Sequence, residues 1–305
     1  MKSVFISLLN FNGAKNTLEC LESLKKINLG NFELTILVID NASTEPLNLN
    51  DQTHGKIKIK VIKNKKNLGF SGGNNVGIQY ALKNNADYVL ILNNDTYVES
   101  NFLTELLRVA EENNHVGILV SKIYFAPGSE YHKDRYSKDQ LGKVFWYAGG
   151  QMNWENIIGS NRGVDEVDSG QFDETEETEL ATGCCILISR KVLEKTGYFD
   201  EDYFLYYEDA DLTMRAKNNG FEIVYVPKSV IWHKNAGSTG GSGSALQDYY
   251  ITRNRLLFGF KYASIRAKLA LFRESLIFLF KGRKWQKRGV LDFYLERFGK
   301  GSYKA

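Results

Sequence analysis

The 305-residue chain has only three cysteines, Cys20 and the adjacent pair Cys184 and Cys185, and no apolar run that approaches the length of a membrane span. Neighbouring cysteines rarely bridge, and the Leu180 to Ile188 run around the pair reads as a buried strand, so reduced thiols in a cytosolic compartment are expected. At the amino terminus the apolar stretch from Val4 to Leu9 meets Asn10 too soon to form a secretory h-region. A protein neither secreted nor bilayer-spanning is expected. Two signatures are missing as well. The turn after the first apolar segment is Asn10-Phe11-Asn12-Gly13 rather than G-x-G-x-x-G, which disfavours a nicotinamide dehydrogenase. That turn also lacks any Lys or Arg, whereas a sugar-nucleotide nucleotidyltransferase would carry a basic glycine-rich signature there to hold a triphosphate. Nothing points to a nucleic-acid partner.

What is present is the composition of an ordinary soluble globular protein, 43% hydrophobic and 25% charged, long enough for one large core or two modest ones. The net charge of +3 conceals an asymmetry. Residues 253–305 hold 14 Lys/Arg against 3 Asp/Glu, leaving 25 against 33 for residues 1–252.

The first 120 residues alternate strand and helix patterns. Val4 to Leu9, Leu34 to Ile39 and Tyr88 to Leu92 read as buried strands, and Ile57, Ile59 and Val61 alternate at period two. Helical patterns fall at Leu18 to Ile27, Val76 to Leu82 and Phe102 to Ala110. This alternation predicts a mostly parallel sheet covered on both faces, with ligands at the carboxyl ends of the strands. The polar residues do sit just after the strands: Asn10 to Gly13, Asp40 to Ser43, Asn93 to Asp95, and the glycine- and asparagine-rich segment Asn67 to Gly77. The last is expected to be a loop that lets backbone approach a phosphate or sugar, or else a plain helix-entry turn. Tyr131 to Asp139 reads as a mobile loop and Glu174 to Glu179 as a solvated acidic run.

Three carboxylates within four positions, Glu208, Asp209 and Asp211, repel one another unless a cation, an acceptor proton or a helix N-terminus sits there. Alone they would be read as charging the first turn of a helix from Leu212 to Asn219. Asp40 suits a nucleobase imide or a ribose hydroxyl, or an N-cap. Asp95 suits a hard divalent ion, and His233 completes the site if it is not a structural hydrogen-bonder; the following Lys234 to Gly243 makes a small loop able to close over a phosphate. Trp146, Trp154, Arg162 and Leu180 to Cys185 are candidates for the acceptor side, with core packing favoured for Trp146. Arg253 and Arg255 suit a diphosphate or anionic head group, or are plain surface charges. From Leu246 the chain reads as helices over Tyr249 to Tyr262, Ile265 to Phe280 and Trp285 to Phe298. The stripe Leu269, Phe272, Leu276 and Leu279 with its basic surround suits an anionic membrane surface and a core-packed helix equally well.

Taken together, Val38 to Ser43, Asn67 to Asn75, Leu92 to Asp95, Thr182-Gly183-Cys184, Gly197 to Glu201, Tyr207 to Leu212, Val226-Pro227, His233 and Tyr250 to Arg255 carry a resemblance that spans nearly the whole chain. The sequence resembles the family 2 glycosyltransferases of GT-A fold, and within them bacterial rhamnosyltransferases of O-antigen and cell-wall polysaccharides. The resemblance implies an α/β fold with a Rossmann-like, mostly parallel central sheet flanked by helices, and a C-terminal helical extension. It divides the chain into a nucleotide-sugar-binding half (1–120), an acceptor-binding and catalytic half (121–245) and C-terminal basic amphipathic helices (246–305). It implies inverting, metal-dependent transfer of a sugar, with dTDP-rhamnose the best choice of donor, to a hydroxyl of a glycan or lipid-linked glycan.

By the same resemblance Asp209, with Glu208 beside it, is catalytic, Asp209 as general base, although spacing alone leaves Glu208 and Asp211 open as the base. Asp95 and His233 take Mn2+ or Mg2+. Asn10, Asn12, Asp40, Asn67, Gly69, Gly73, Asn74, Asn94 and Arg253 bind the nucleotide sugar, Asp40 through the base. One departure is that Asn93 stands where many relatives carry the first acid of a D-x-D motif. Peripheral association with the inner face of the cell membrane is expected, and a homodimer is left open. A non-catalytic carbohydrate- or membrane-binding protein on the same scaffold is the alternative from another class.

Overall fold

The computed structural model describes residues 1–45, 47–235 and 243–304. Its first part runs β1 (Lys2–Asn10), α1 (Ala14–Leu24), β2 (Phe32–Asp40), β3 (Gln52–His54), β4 (Ile57–Lys63), α2 (Gly69–Lys83), β5 (Tyr88–Asn93), β6 (Thr96–Val98), α3 (Phe102–Glu112) and β7 (Val116–Phe125). The second part holds β8 (Phe145–Tyr147), the hairpin β9 (Gly150–Asn153) and β10 (Ile158–Asn161), β11 (Glu176–Glu177), β12 (Cys185–Ser189), α4 (Arg190–Thr196), α5 (Glu208–Asn218) and β13 (Glu222–His233). Three helices close the chain: α6 (Ala245–Tyr262), α7 (Ile265–Lys281) and α8 (Lys284–Tyr294).

One sheet joins both parts, in the order β11-β13-β7-β12-β5-β1-β2-β4-β3. Strands β4, β2, β1 and β5 are mutually parallel, as are β13 and β7, while β12 enters antiparallel between β5 and β7. Strands β1, β2 and β5 are near-continuous apolar runs because helices cover both faces of the sheet. A single apolar core follows the sheet, and a smaller one lies between α6, α7, α8 and the 152–157 and 203–210 segments.

The mostly parallel sheet matches expectation, and so does the helical C-terminal extension. Several local assignments differ. The glycine- and asparagine-rich segment is the first half of α2 rather than a loop. A Cβ on Gly73 would lie 2.5 Å from Leu9 Cδ1, and one on Gly77 would lie 2.4 Å from Ser7 Oγ. These glycines therefore let α2 lie close against β1. The acidic run supplies β11 at the sheet edge, and Glu179 accepts from Trp154 Nε1 at 2.5 Å. The buried strand around the cysteines begins only at Cys185, and burial pushes the Cys185 thiol up to about 12. Of the predicted phosphate-closing loop, residues 236–242 lie outside the described residues.

Candidate active site

Parallel strands bring their carboxyl ends to one edge, and polar residues line it in order. Asn10 pairs in register with Asp40 between β1 and β2, and Leu9 with Asn93 between β1 and β5. Next along the edge comes the approach to β12, where Asn93 N–H donates to the Cys184 carbonyl at 2.9 Å. Beyond it, β6 pairs with the end of β13 so that His233 lies opposite Thr96. Asp40, Asp95 and His233, dispersed over 194 positions of sequence, thus share one edge.

At the β1–β2 end, Asn10 Nδ2 donates to Asp40 Oδ1 at 3.0 Å and to Ser43 Oγ at 3.1 Å, while its Oδ1 accepts from Thr17 at 2.8 Å. This fixes the Asp40 carboxylate and leaves Oδ2 without a protein hydrogen bond among the described residues. Asn12 takes a left-handed φ of 53°, and its Oδ1 accepts from Thr44 N–H at 2.8 Å, tying down the loop after β2. Asn94 Nδ2 donates to Thr17 Oγ1 at 2.9 Å, joining the end of β5 to α1. Asn10 and Asn94 therefore shape the edge through other side chains.

At the far end, His233 Nε2 lies 3.1 Å from Asp95 Oδ1, and the Trp146 ring packs T-shaped with the imidazole at a ring separation of 4.6 Å. Lys234 N–H donates to the Asp95 carbonyl at 2.8 Å. His233 Nδ1 is buried with no hydrogen-bond partner among the described residues. Adjacent ligands about an octahedral divalent ion with bonds of about 2.0–2.1 Å stand roughly 3 Å apart, so the pair is already at the separation such an ion needs. No cluster of three or more His, Cys, Asp or Glu able to hold a metal exists among the described residues. An ion here would take two protein ligands and complete its shell with diphosphate oxygens and water.

Asp209 sits in the first turn of α5, and the cavity it borders is lined by neither Asp95 nor His233. Its Oδ2 accepts from Gly183 N–H at 2.9 Å and its Oδ1 from Ala210 N–H at 2.8 Å. It borders a cavity of about 340 Å³ walled by Tyr147, Leu180, Thr182, Ile158, Tyr207 and Ile251. Burial raises the Asp209 carboxyl above the usual aspartate range, against the pull of those two N–H donors. Glu208 is buried with Oε2 unpartnered; burial first, and then the Asp209 charge, push its carboxyl well above the usual range. A larger cavity, about 480 Å³, opens beside Ser3, Glu33 and Lys58 at the opposite end of the strands. Its two acids, Glu33 and Asp51, are exposed to solvent, and Asp51 is already bound to Lys60.

Several sequence-based assignments require correction. Asp211 faces away from Asp209: its carboxylate accepts from Arg215 Nε at 2.7 Å, Lys261 Nζ at 2.6 Å and Tyr262 OH at 2.8 Å. Burial disfavours its charge, but Arg215 and Lys261 outweigh that and hold it below the usual range, so it is a structural ion and not a base. Asp209 is accordingly raised by burial rather than by neighbouring acids.

Arg253 is fully buried and makes no diphosphate site. Its guanidinium donates to the carbonyls of Asp202 at 3.0 Å, Tyr203 at 3.0 Å, Gly299 at 2.7 Å and Arg297 at 3.3 Å, and to Asn254 Oδ1 at 2.9 Å. Arg255 pairs with Glu274. Asn74 is buried, accepting from Ser7 Oγ and donating to the Phe70 carbonyl, so it pins α2 to β1. Gly73 contacts Leu9 and offers no approach to a ligand. At Gly69 the α2 amino terminus has no free backbone donor: Leu68 N–H goes to Asn41 Oδ1, Gly69 N–H to Asn67 Oδ1, and Phe70 and Ser71 N–H to the Phe204 carbonyl, whereas Asn67 only accepts, through Oδ1, from Asn41 Nδ2 and Gly69 N–H. Arg162 donates to the Ala148 carbonyl and lies over Phe172, away from the cavity.

Sequence reasoning also missed a scaffold. Phe204, Tyr206 and Tyr207 hold left-handed φ values of 63°, 70° and 73°, costly for aromatic residues unless their surroundings enforce them. Asn254 Nδ2 donates to the carbonyls of Tyr203, Leu205 and Tyr206, and Arg253 holds that of Asp202 and shares that of Tyr203. From the other side α2 binds the Phe204 carbonyl. This clamp aims Glu208 and Asp209. Its only sequence signal was a polar pair inside an aromatic helix.

Residues 4–259 match the family model described as "Glycosyltransferase like family 2". The chain belongs to glycosyltransferase family 2. It is 28% identical over 222 residues to the low-salt glycan biosynthesis hexosyltransferase Agl10 of Haloferax volcanii, covering 72% of this chain and 66% of that protein. Similarity to the dTDP-rhamnosyl transferase RfbF of Shigella flexneri is 21% over 235 residues, 73% of this chain and 69% of that one. A shorter stretch of 59 residues, 19% of each protein, is 44% identical to the N-acetylglucosaminyl-diphospho-decaprenol L-rhamnosyltransferase of Mycobacterium tuberculosis. Among solved structures, GalNAc-T7 with UDP, GalNAc and Mn2+ superposes with a TM-score of 0.58 at 16% identity, covering 97% of this chain and 57% of that one. That likeness establishes the shared fold.

Proposed function

We propose that this family member transfers a sugar, with inversion, from a nucleotide diphosphate donor to a hydroxyl of a cell-surface glycan under assembly. L-rhamnose from dTDP-rhamnose is the donor that the names of two relatives support, and a lipid-linked glycan at the inner face of the cell membrane is the acceptor. In this account residues 1–120 hold the donor and residues 121–245 the acceptor. The observation that carries it is the meeting of Asp95 and His233, 138 positions apart, at 3.1 Å at the carboxyl edge of the sheet.

The free Oδ2 of Asp40 accepts from the nucleobase or ribose, with Asn10 and Ser43 fixing the other oxygen. Asp95 and His233 would hold Mn2+ or Mg2+. When bound, the ion neutralises charge developing on the departing diphosphate. Asp209 takes the acceptor proton as the acceptor oxygen bonds to the anomeric carbon, and the bond to the diphosphate breaks with its electron pair leaving on phosphate. Gly183 N–H fixes the orientation of the base, and burial lifts its proton affinity toward working pH. Burial and the neighbouring Asp209 charge favour the protonated form of Glu208 beside it.

The test is Asp209→Asn. That variant keeps the melting-temperature increase given by dTDP-rhamnose with manganese and loses turnover, whereas wild-type-like transfer refutes the base assignment. A panel of nucleotide sugars in the same thermal-shift format identifies the donor.

A further inference from the structure

Helix α7 turns one face to the body and leaves the other uncovered. Ala267, Leu271 and Ser275 are buried against the smaller core. At about 100° per residue, Ile265, Leu269, Phe272, Leu276 and Phe280 fall on the opposite side in a stripe about 22 Å long. Their exposures are 79%, 60%, 42%, 39% and 80%. Arg266 and Arg273 run along this stripe, and Lys281 and Lys284 follow at its carboxyl end, where Arg283 is already paired with Asp248. Isolated exposed apolar residues are ordinary on a protein surface, but a continuous stripe with a cationic border marks an interaction face.

We propose that this face of α7 lies in the interface of an anionic lipid bilayer, its apolar side chains among the acyl chains and its cations at the head groups. Charge selects this occupant over a second copy of the chain. Of the three acids in residues 253–305, Glu274 is paired with Arg255 and Asp292 is buried, so the border offers little negative charge. A two-fold pairing of α7 with itself would set cation against cation, whereas anionic lipid satisfies the border and the stripe together.

The helix is also coupled to the cavity wall. A Cβ on Gly259 of α6 would lie 2.2 Å from Leu271 Cδ1 and 3.5 Å from Ile157 Cγ1, so α6, α7 and the β9–β10 hairpin are in close contact there. Helix α6 and that hairpin contribute Ile251 and Ile158 to the cavity beside Asp209. Among the described residues no helix is long and apolar enough to cross a membrane, so α7 rests on the bilayer rather than spanning it. Delivery of a lipid-linked acceptor to that cavity rests on the function proposed above; the binding itself does not.

The experiment is co-sedimentation of the full chain with phosphatidylcholine vesicles and with phosphatidylcholine–phosphatidylglycerol vesicles, read as partition without any sugar transfer. The chain is expected to bind only the anionic vesicles, and less as salt rises. Leu269→Ser with Phe280→Ser lowers partition at least about tenfold, and Arg266→Gln with Arg273→Gln lowers it about fivefold per cation removed. Leu18→Ser, at a 40% exposed site on α1, changes nothing. Melting temperatures and the response to nucleotide stay at wild-type values throughout. Failure of the wild-type chain to bind, or equal binding by both double variants, overturns the proposal. So does a wild-type dimer in light scattering that Leu269→Ser with Phe280→Ser converts to monomer, since the face would then belong to a second copy.

Discussion

Replacing Arg253 with Met separates the clamp described here from the donor site that sequence reasoning favoured. Methionine fills much of the same volume but removes all the donors that now bind the carbonyls of Asp202, Tyr203, Arg297 and Gly299. Asn254 keeps one of those four, the Tyr203 carbonyl, at 2.9 Å. The others lose a charge-assisted bond worth about 1.5–3 kcal/mol each, partly recovered by water and relaxation, for a net cost of about 3–5 kcal/mol. At about 2 cal/mol/K of unfolding entropy per residue, a chain of this length loses about 5–8 °C of melting temperature. Because the 202–206 carbonyls position the left-handed turn before α5, kcat falls further than stability alone requires, while nucleotide affinity persists. Arg253→Lys keeps the charge but not the fork and falls between. Differential scanning fluorimetry and calorimetric titration with dTDP and manganese supply both readouts. An unchanged melting temperature with weakened nucleotide binding would show that the guanidinium serves the diphosphate after all.

Glu208→Gln is expected to raise the melting temperature at pH 8 and not at pH 4. A carboxyl whose folded-state proton affinity is raised stabilises below its unfolded pKa and loses that contribution as pH rises through the folded value. The acid limb of kcat/KM should lie above the ordinary aspartate value of about 3.9, since burial lifts Asp209, and a limb at or below that value would contradict the assignment. His233→Ala should weaken manganese binding in the presence of dTDP by at least about tenfold, as read by electron paramagnetic resonance, with little change in nucleotide affinity measured without metal. Gly69→Ala should cost about 2–4 kcal/mol in urea unfolding, because φ is +73° there and a Cβ would lie 2.3 Å from the Phe204 carbonyl.

The parallel sheet was legible because strands covered on both faces must be apolar throughout, and β1, β2 and β5 are. The edge residues Asp40, Asp95 and His233 were legible for the same reason, since a polar group directly after such a strand stands at its carboxyl end. Direction was not. Asp209 and Asp211 are two residues apart on α5, and only the packed structure turns one to Gly183 and the cavity and the other to Arg215 and Lys261. Arg253 looked like a surface or ligand charge because its carbonyl partners lie up to 51 positions away and leave no mark in sequence. The glycines of α2 suggested a phosphate loop, whereas Leu9 and Ser7 of β1 occupy the space a Cβ would take at Gly73 and Gly77.

The most direct test of the central claim is the manganese anomalous signal from crystals grown with Mn2+ and whichever nucleoside diphosphate most raises the melting temperature. The account predicts one strong peak bonded to both Asp95 and His233 and to the diphosphate, with Asp209 facing the sugar side. A peak remote from this pair, with nucleotide clearly bound, would contradict it.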